Sequence, residues 1–127
     1  MFNFKLLELA LNITSKEGTF SKEDMNVFKL AWRQPGTLKY MLNWYRALKY
    51  SKLDRTKEVQ SPTLLIWGKK DKFLSYEMAR LSIKKCKNGT LKVIDDATHW
   101  LHHENPEEIN ELIFKFINDR LNKYELL

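Results

Sequence analysis

The chain is poor in the residues that cross-link or punctuate a fold. Cys86 is the single cysteine among 127 residues. No intramolecular disulfide can form, so a reducing, cytoplasmic setting is expected. Four glycines and three prolines are too few for a collagenous or low-complexity chain, and no internal repeat stands out. No apolar run approaches the roughly 20 residues of a membrane-spanning helix. The first residues lack the charge, apolar stretch and small-residue cleavage site of a signal peptide, so no membrane span is expected. Lys and Arg are missing from Val93 to Phe114, where Asp95, Asp96, Glu104, Glu107, Glu108 and Glu111 crowd together. The remaining lysines are scattered among acids. The net charge of +6 therefore reads as a solvated basic surface rather than a phosphate-binding groove, and no nucleic acid partner is expected.

Apolar side chains are plentiful: hydrophobic residues make up 43% and aromatics 13%, enough for one packed globular domain. The first 50 residues read as helices. In "FSKEDMNVFKLAWRQPG", Ser21 and Asp24 have the spacing of a capping box. Met25, Phe28 and Trp32 then recur at helical spacing until Pro35-Gly36 stops the run. In "TLKYMLNWYRALKY", Leu38, Met41, Leu42 and Tyr45 mark one face, expected to be buried. Residues 51–61 are polar and read as a connector.

The pattern changes at Pro62. "TLLIWG" is a short continuous apolar run, the mark of a strand buried on both faces. "SYEMARLSIKKC" places Ala79, Ser82, Ile83 and Cys86 on one helical stripe, which makes Cys86 a small buried apolar residue rather than a nucleophile. "TLKVI" reads as a second strand, and the crossover between the strands is long enough for parallel pairing. Asn105 and Pro106 sit at N-cap and N1 of a last helix whose apolar stripe is Ile109, Leu112, Ile113, Phe116 and Ile117. A strand this apolar calls for neighbours on both edges and helices on both faces, so two strands form too small a sheet and the chain reads as the end of a larger fold.

In an open parallel sheet, functional groups sit just past the carboxyl ends of the strands. Asp71 follows the first strand and His99 the second. An aspartate that accepts the imidazole Nδ1–H fixes its tautomer and leaves Nε2 free to take a proton. Acid followed by histidine is also the closing order of the α/β-hydrolase triad. A metal site at His99, His102 and His103 is the weaker reading, because the helix start at Asn105 places these residues ahead of a helix and no fourth ligand is marked. No metal or cofactor is expected.

"AWRQPGTLKYMLNWYRA", "PTLLIWGKKDKFL" and "ATHWLHHENPEEINELI" resemble the C-terminal half of epoxide hydrolases of the α/β-hydrolase superfamily, over nearly the whole chain from about residue 18 onward. The resemblance implies helices of a cap over residues 1–50, a connector at 51–61 and the C-terminal βαβα portion of the hydrolase core at 62–127. It also implies roles. His99 is the general base, Asp71 orients it, and Tyr45, in "NWYR", hydrogen-bonds the epoxide oxygen. His102 and His103 match no catalytic position. The family opens the ring with a nucleophilic Asp to give an ester, which histidine-activated water hydrolyses to a diol. The four glycines, Gly18, Gly36, Gly68 and Gly89, are not spaced for a nucleophile elbow. The oxyanion His-Gly motif and the second cap tyrosine are also missing. The expected function is thus the C-terminal segment of an epoxide hydrolase, inactive alone, that acts on a small apolar epoxide once completed by an N-terminal half. A dehalogenase or esterase fragment, or a non-catalytic interaction module, is the alternative. Uncovered apolar surface leads to an expectation of self-association.

Overall fold

The computed structural model describes residues 4–50 and 57–124. Residues 51–56, most of the predicted connector, lie outside the described residues. Three helices come first: α1 (Lys5–Thr14), α2 (Lys22–Trp32) and α3 (Thr37–Ala47), the last followed by a 3₁₀ turn at Leu48–Tyr50. The capping box at the start of α2 is formed in full. Ser21 Oγ accepts the Asp24 N–H at 3.0 Å, and the Asp24 carboxylate accepts the Ser21 N–H at 2.8 Å, a motif worth about 1 kcal/mol. The break between α2 and α3 rests on Gly36, whose φ of +83° is left-handed. That backbone angle favours glycine, while the Tyr40 ring that a Cβ would meet is exposed and can move aside.

Strand β1 (Thr63–Gly68), helix α4 (Tyr76–Ile83) and strand β2 (Gly89–Ile94) form the expected parallel unit. The register runs from Thr63 opposite Gly89 to Gly68 opposite Ile94. Pairing begins before β1: the Val59 N–H donates to Lys85 O at 2.8 Å and the Lys87 N–H to Val59 O at 2.9 Å. This corrects the place of Cys86. Helix α4 stops at Ile83, and Cys86 pairs with Val59 in an isolated bridge, half-buried. Ser82, also expected on the buried stripe, is exposed.

Helix α6 (Pro106–Tyr124) starts where Asn105-Pro106 predicts. Just before it, residues expected to be a loop form a single helical turn, α5 (Leu101–Glu104), so His102 and His103 do lie on helical backbone. The Asn105 side chain accepts from the Lys16 ammonium through Oδ1 at 3.1 Å, and its amide nitrogen reaches Glu108 Oε2 at 3.5 Å.

The core lies between the sheet and α6. Ile94, Ala97 and Ile109 are buried, with Ile66, Leu101 and Leu112 packed against them; Ala79 is fully enclosed on α4. Other predicted apolar faces are not covered. On α3, Leu38 is half-buried while Met41, Leu42 and Tyr45 are exposed. That face borders a groove of about 600 Å³ shared with Phe4, Leu6 and Leu7 of the α1 segment. On α6, Ile113 and Ile117 are likewise exposed. Periodicity identifies an apolar face, and burial needs an opposing element that the described residues do not supply. Among the described residues, no helix is long and apolar enough to cross a membrane.

Candidate active site

The carboxyl ends of β1 and β2 lie side by side, since Gly68 and Ile94 are register partners. The loops that leave them are laced together. Lys69 N–H donates to Ile94 O at 3.0 Å and Lys70 N–H to Ala97 O at 2.9 Å. Gly68 makes this approach possible: a Cβ there would lie 2.1 Å from the Thr98 carbonyl oxygen and 2.7 Å from that of Ala97. Backbone cannot yield as a flexible side chain can. Gly68→Ala is accordingly expected to cost about 1–3 kcal/mol, read as a lower urea midpoint. An unchanged midpoint would mean that the 97–98 backbone moves aside freely.

The two loops carry the pair predicted from sequence. His99 Nδ1 and Asp71 Oδ2 are 2.8 Å apart, with the Asp71 side chain 6% exposed and that of His99 37%. Asp71 Oδ1 accepts the N–H groups of Phe73 at 2.8 Å and Leu74 at 3.0 Å. Burial opposes the charge on Asp71. The hydrogen bonds from His99, Leu74 and Phe73 outweigh it and hold the pKa below the usual carboxylate range. An ionised carboxylate only accepts, so Nδ1 carries the shared proton and Nε2 is the free ring nitrogen. The imidazole is also wedged edge-on between Phe73, at 5.0 Å between centroids, and Trp100, at 5.4 Å. A histidine with a fixed tautomer, a held ring and an accessible Nε2 can take a proton from water or from a nucleophile.

The other predicted residue lies elsewhere. Tyr45 is 70% exposed on α3 and lines the apolar groove, whose walls include neither Asp71 nor His99. The His102 and His103 rings lie tilted against each other with centroids 4.4 Å apart, and His103 rests against Phe20. Among the described residues, no cluster of three or more His, Cys, Asp or Glu side chains is arranged to hold a metal.

Sequence reading missed the frame around His99. Glu104 and Thr98 hold the loop, and Trp100 Nε1 donates to Thr14 Oγ1 at 3.0 Å, tying it to the end of α1. Lys16 closes the other side, its ammonium 2.6 Å from Asp96 Oδ2. The one signal available was a carboxylate five positions after the histidine in a stretch without Lys or Arg.

The fold has known relatives. A family model for the alpha/beta hydrolase fold matches residues 3–106. The chain is 37% identical over 119 residues to the AB hydrolase superfamily protein YfhM of Bacillus subtilis (strain 168), covering 93% of this chain and 42% of that protein. It is 36% identical over 122 residues to epoxide hydrolase 1 of Caenorhabditis elegans, covering 91% and 30%. A crystal structure of a mutant epoxide hydrolase from Bacillus megaterium superposes with a TM-score of 0.75 at 25% identity, over 89% of this chain and 43% of that one. The chain thus spans less than half the length of each of these proteins. With most of its length matched, and with acid and histidine meeting past two adjacent parallel strands, the chain belongs to the alpha/beta hydrolase fold family.

Proposed function

We propose that this chain carries the water-activating part of an epoxide hydrolase and works with an upstream segment that supplies the nucleophile. The observation that carries the reading is the 2.8 Å Asp71–His99 hydrogen bond, in a chain whose similar proteins include epoxide hydrolases. A nucleophilic carboxylate from the upstream segment attacks an epoxide carbon. A C–O ester bond forms as the ring C–O bond breaks, and the leaving oxygen takes a proton from a donor, the role assigned to Tyr45. His99 Nε2 then removes a proton from water as the water oxygen attacks the ester carbonyl. Asp71 stabilises the imidazolium, which gives its proton to the departing oxygen so that the diol leaves; the carboxyl proton that remains returns to the donor, restoring carboxylate and donor together. The uncovered apolar faces of α3 and α6 support the same reading, since a larger hydrolase core and its cap would cover them.

The test compares the chain alone with the chain joined to the upstream segment of the similar Bacillus megaterium epoxide hydrolase, on a small apolar epoxide. The joined protein should form diol, and its His99→Gln variant should stop at the ester, visible by mass as an adduct on the upstream segment. The chain alone should form none. Diol made by the chain alone and abolished by His99→Ala would overturn the proposal, as would a joined protein that binds the epoxide and never forms the adduct.

A further inference from the structure

The Glu104 carboxylate accepts three hydrogen bonds, two of them from Thr98 in the histidine loop and one from Lys16 after α1. Its Oε2 accepts the Thr98 N–H at 2.7 Å. Its Oε1 accepts the Thr98 hydroxyl at 2.6 Å and the Lys16 N–H at 2.8 Å. The Thr98 hydroxyl, having donated to Glu104, accepts the Trp100 N–H at 3.2 Å. Thr98 is thus fixed directly to the Glu104 carboxylate and Trp100 is tied to it through the Thr98 hydroxyl, while Lys16 joins the carboxylate to the loop after α1. Thr98 is 6% exposed, so these are sheltered bonds. Burial opposes the Glu104 charge. The bonds from Thr98 and Lys16 prevail and hold its pKa below the usual range, so the group stays an acceptor on both oxygens at neutral pH.

We infer that Glu104 is a positioning residue for His99: through Thr98 it sets the backbone that carries the imidazole, and so keeps Nδ1 on Asp71 and Nε2 free. The alternative, that Glu104 merely holds α5 against α1, assigns it no effect on the imidazole of a folded molecule. Geometry separates the two. Thr98 and Trp100 flank His99 directly, and a hydrogen bond of 2.8 Å between side chains on different loops tolerates only a few tenths of an ångström of drift. A glutamine at 104 retains one oxygen, so its amide nitrogen must face a donor, either the Thr98 N–H or the Lys16 N–H. At least one bond becomes a repulsion.

This inference rests on the reading of His99 as the base, and its test does not use the reaction. The whole chain is labelled with ¹⁵N-histidine, His99 is assigned through His99→Gln, and the ring-nitrogen shifts at a pH where the ring is neutral give the fraction protonated on Nδ1. That fraction should fall at least twofold in Glu104→Gln and in Thr98→Val, which keeps shape and N–H and removes the hydroxyl. Thr98→Ser, which retains both donors, should restore the original value, and exposed Glu107→Gln should leave it unchanged. If Glu104→Gln does not fold, the Thr98 pair decides. Folded variants with lower melting temperatures but an unchanged Nδ1 fraction would overturn the proposal, leaving Glu104 a purely structural clamp. A joined protein that fails to hydrolyse epoxides would strike the functional reading and leave this result in place.

Discussion

Asp71→Asn is expected to slow ester hydrolysis in the joined protein by about four orders of magnitude, the usual consequence of forcing the wrong histidine tautomer, while ring opening proceeds near its normal rate. The surroundings of Asp71 decide which way an amide would point. The N–H groups of Phe73 and Leu74 both donate to Oδ1, so the amide oxygen of asparagine must occupy that place. Its NH₂ then faces His99 Nδ1, which has to become an acceptor. The ring proton moves to Nε2, the nitrogen that must take a proton from water. Ring opening needs a carboxylate nucleophile and a donor to oxygen, and neither is His99. Single-turnover measurements should therefore show ester formed at the ordinary rate and persisting. Ester breakdown within tenfold of the unsubstituted protein would remove Asp71 from the mechanism.

The same substitution has a signature in stability. Asp71 is held below the ordinary carboxylate range, so its ionised form favours the folded state. That contribution is complete above the unfolded value of about 3.9 and is lost as pH falls through the lower folded value. The stability curves of Asp71→Asn and the unsubstituted chain should lie apart at neutral pH and converge in acid. A gap that is constant with pH would trace the loss to packing rather than to charge.

Local chemistry explains what could be read in advance. Ser21 and Asp24 specify their helix start because both partners lie within one turn, and no distant contact is needed to make the bonds. Asp71 and His99 lie 28 positions apart and were still legible. Parallel pairing of two consecutive strands puts the loops after them at the same edge, so the sheet does the work of proximity. Glu104 was not legible, because its value lies in a turn of helix only four residues long and in Lys16, 88 positions away. Nor could burial on α3 be read. Leu38, Met41, Leu42 and Tyr45 do share a face, and the spacing says nothing about what stands opposite it. Cys86 failed for a related reason: the stripe continues in the letters after α4 has ended at Ile83, and pairing with Val59 has taken over.

Exposure of that face makes Tyr45 a clean test of the epoxide reading. A tyrosine buried in a core cannot lose its hydroxyl without disturbing its neighbours, whereas Tyr45 is 70% exposed beside an apolar groove. Tyr45→Phe should leave stability within about 0.5 kcal/mol, as for most surface substitutions. In the joined protein, the hydroxyl is proposed to donate to the epoxide oxygen, a bond that strengthens as the ring opens and negative charge collects there. Deleting one such donor typically costs about 2.7–4 kcal/mol, or roughly a hundredfold to a thousandfold in rate. The loss falls on ester formation and leaves ester breakdown alone, the reverse of Asp71→Asn. A second donor tyrosine in the upstream segment would reduce the loss without changing which step carries it. Rapid-quench measurement of adduct formation separates the two steps. If Tyr45→Phe forms ester as fast as the unsubstituted protein, Tyr45 only lines the groove, and the donor to the epoxide oxygen is another residue.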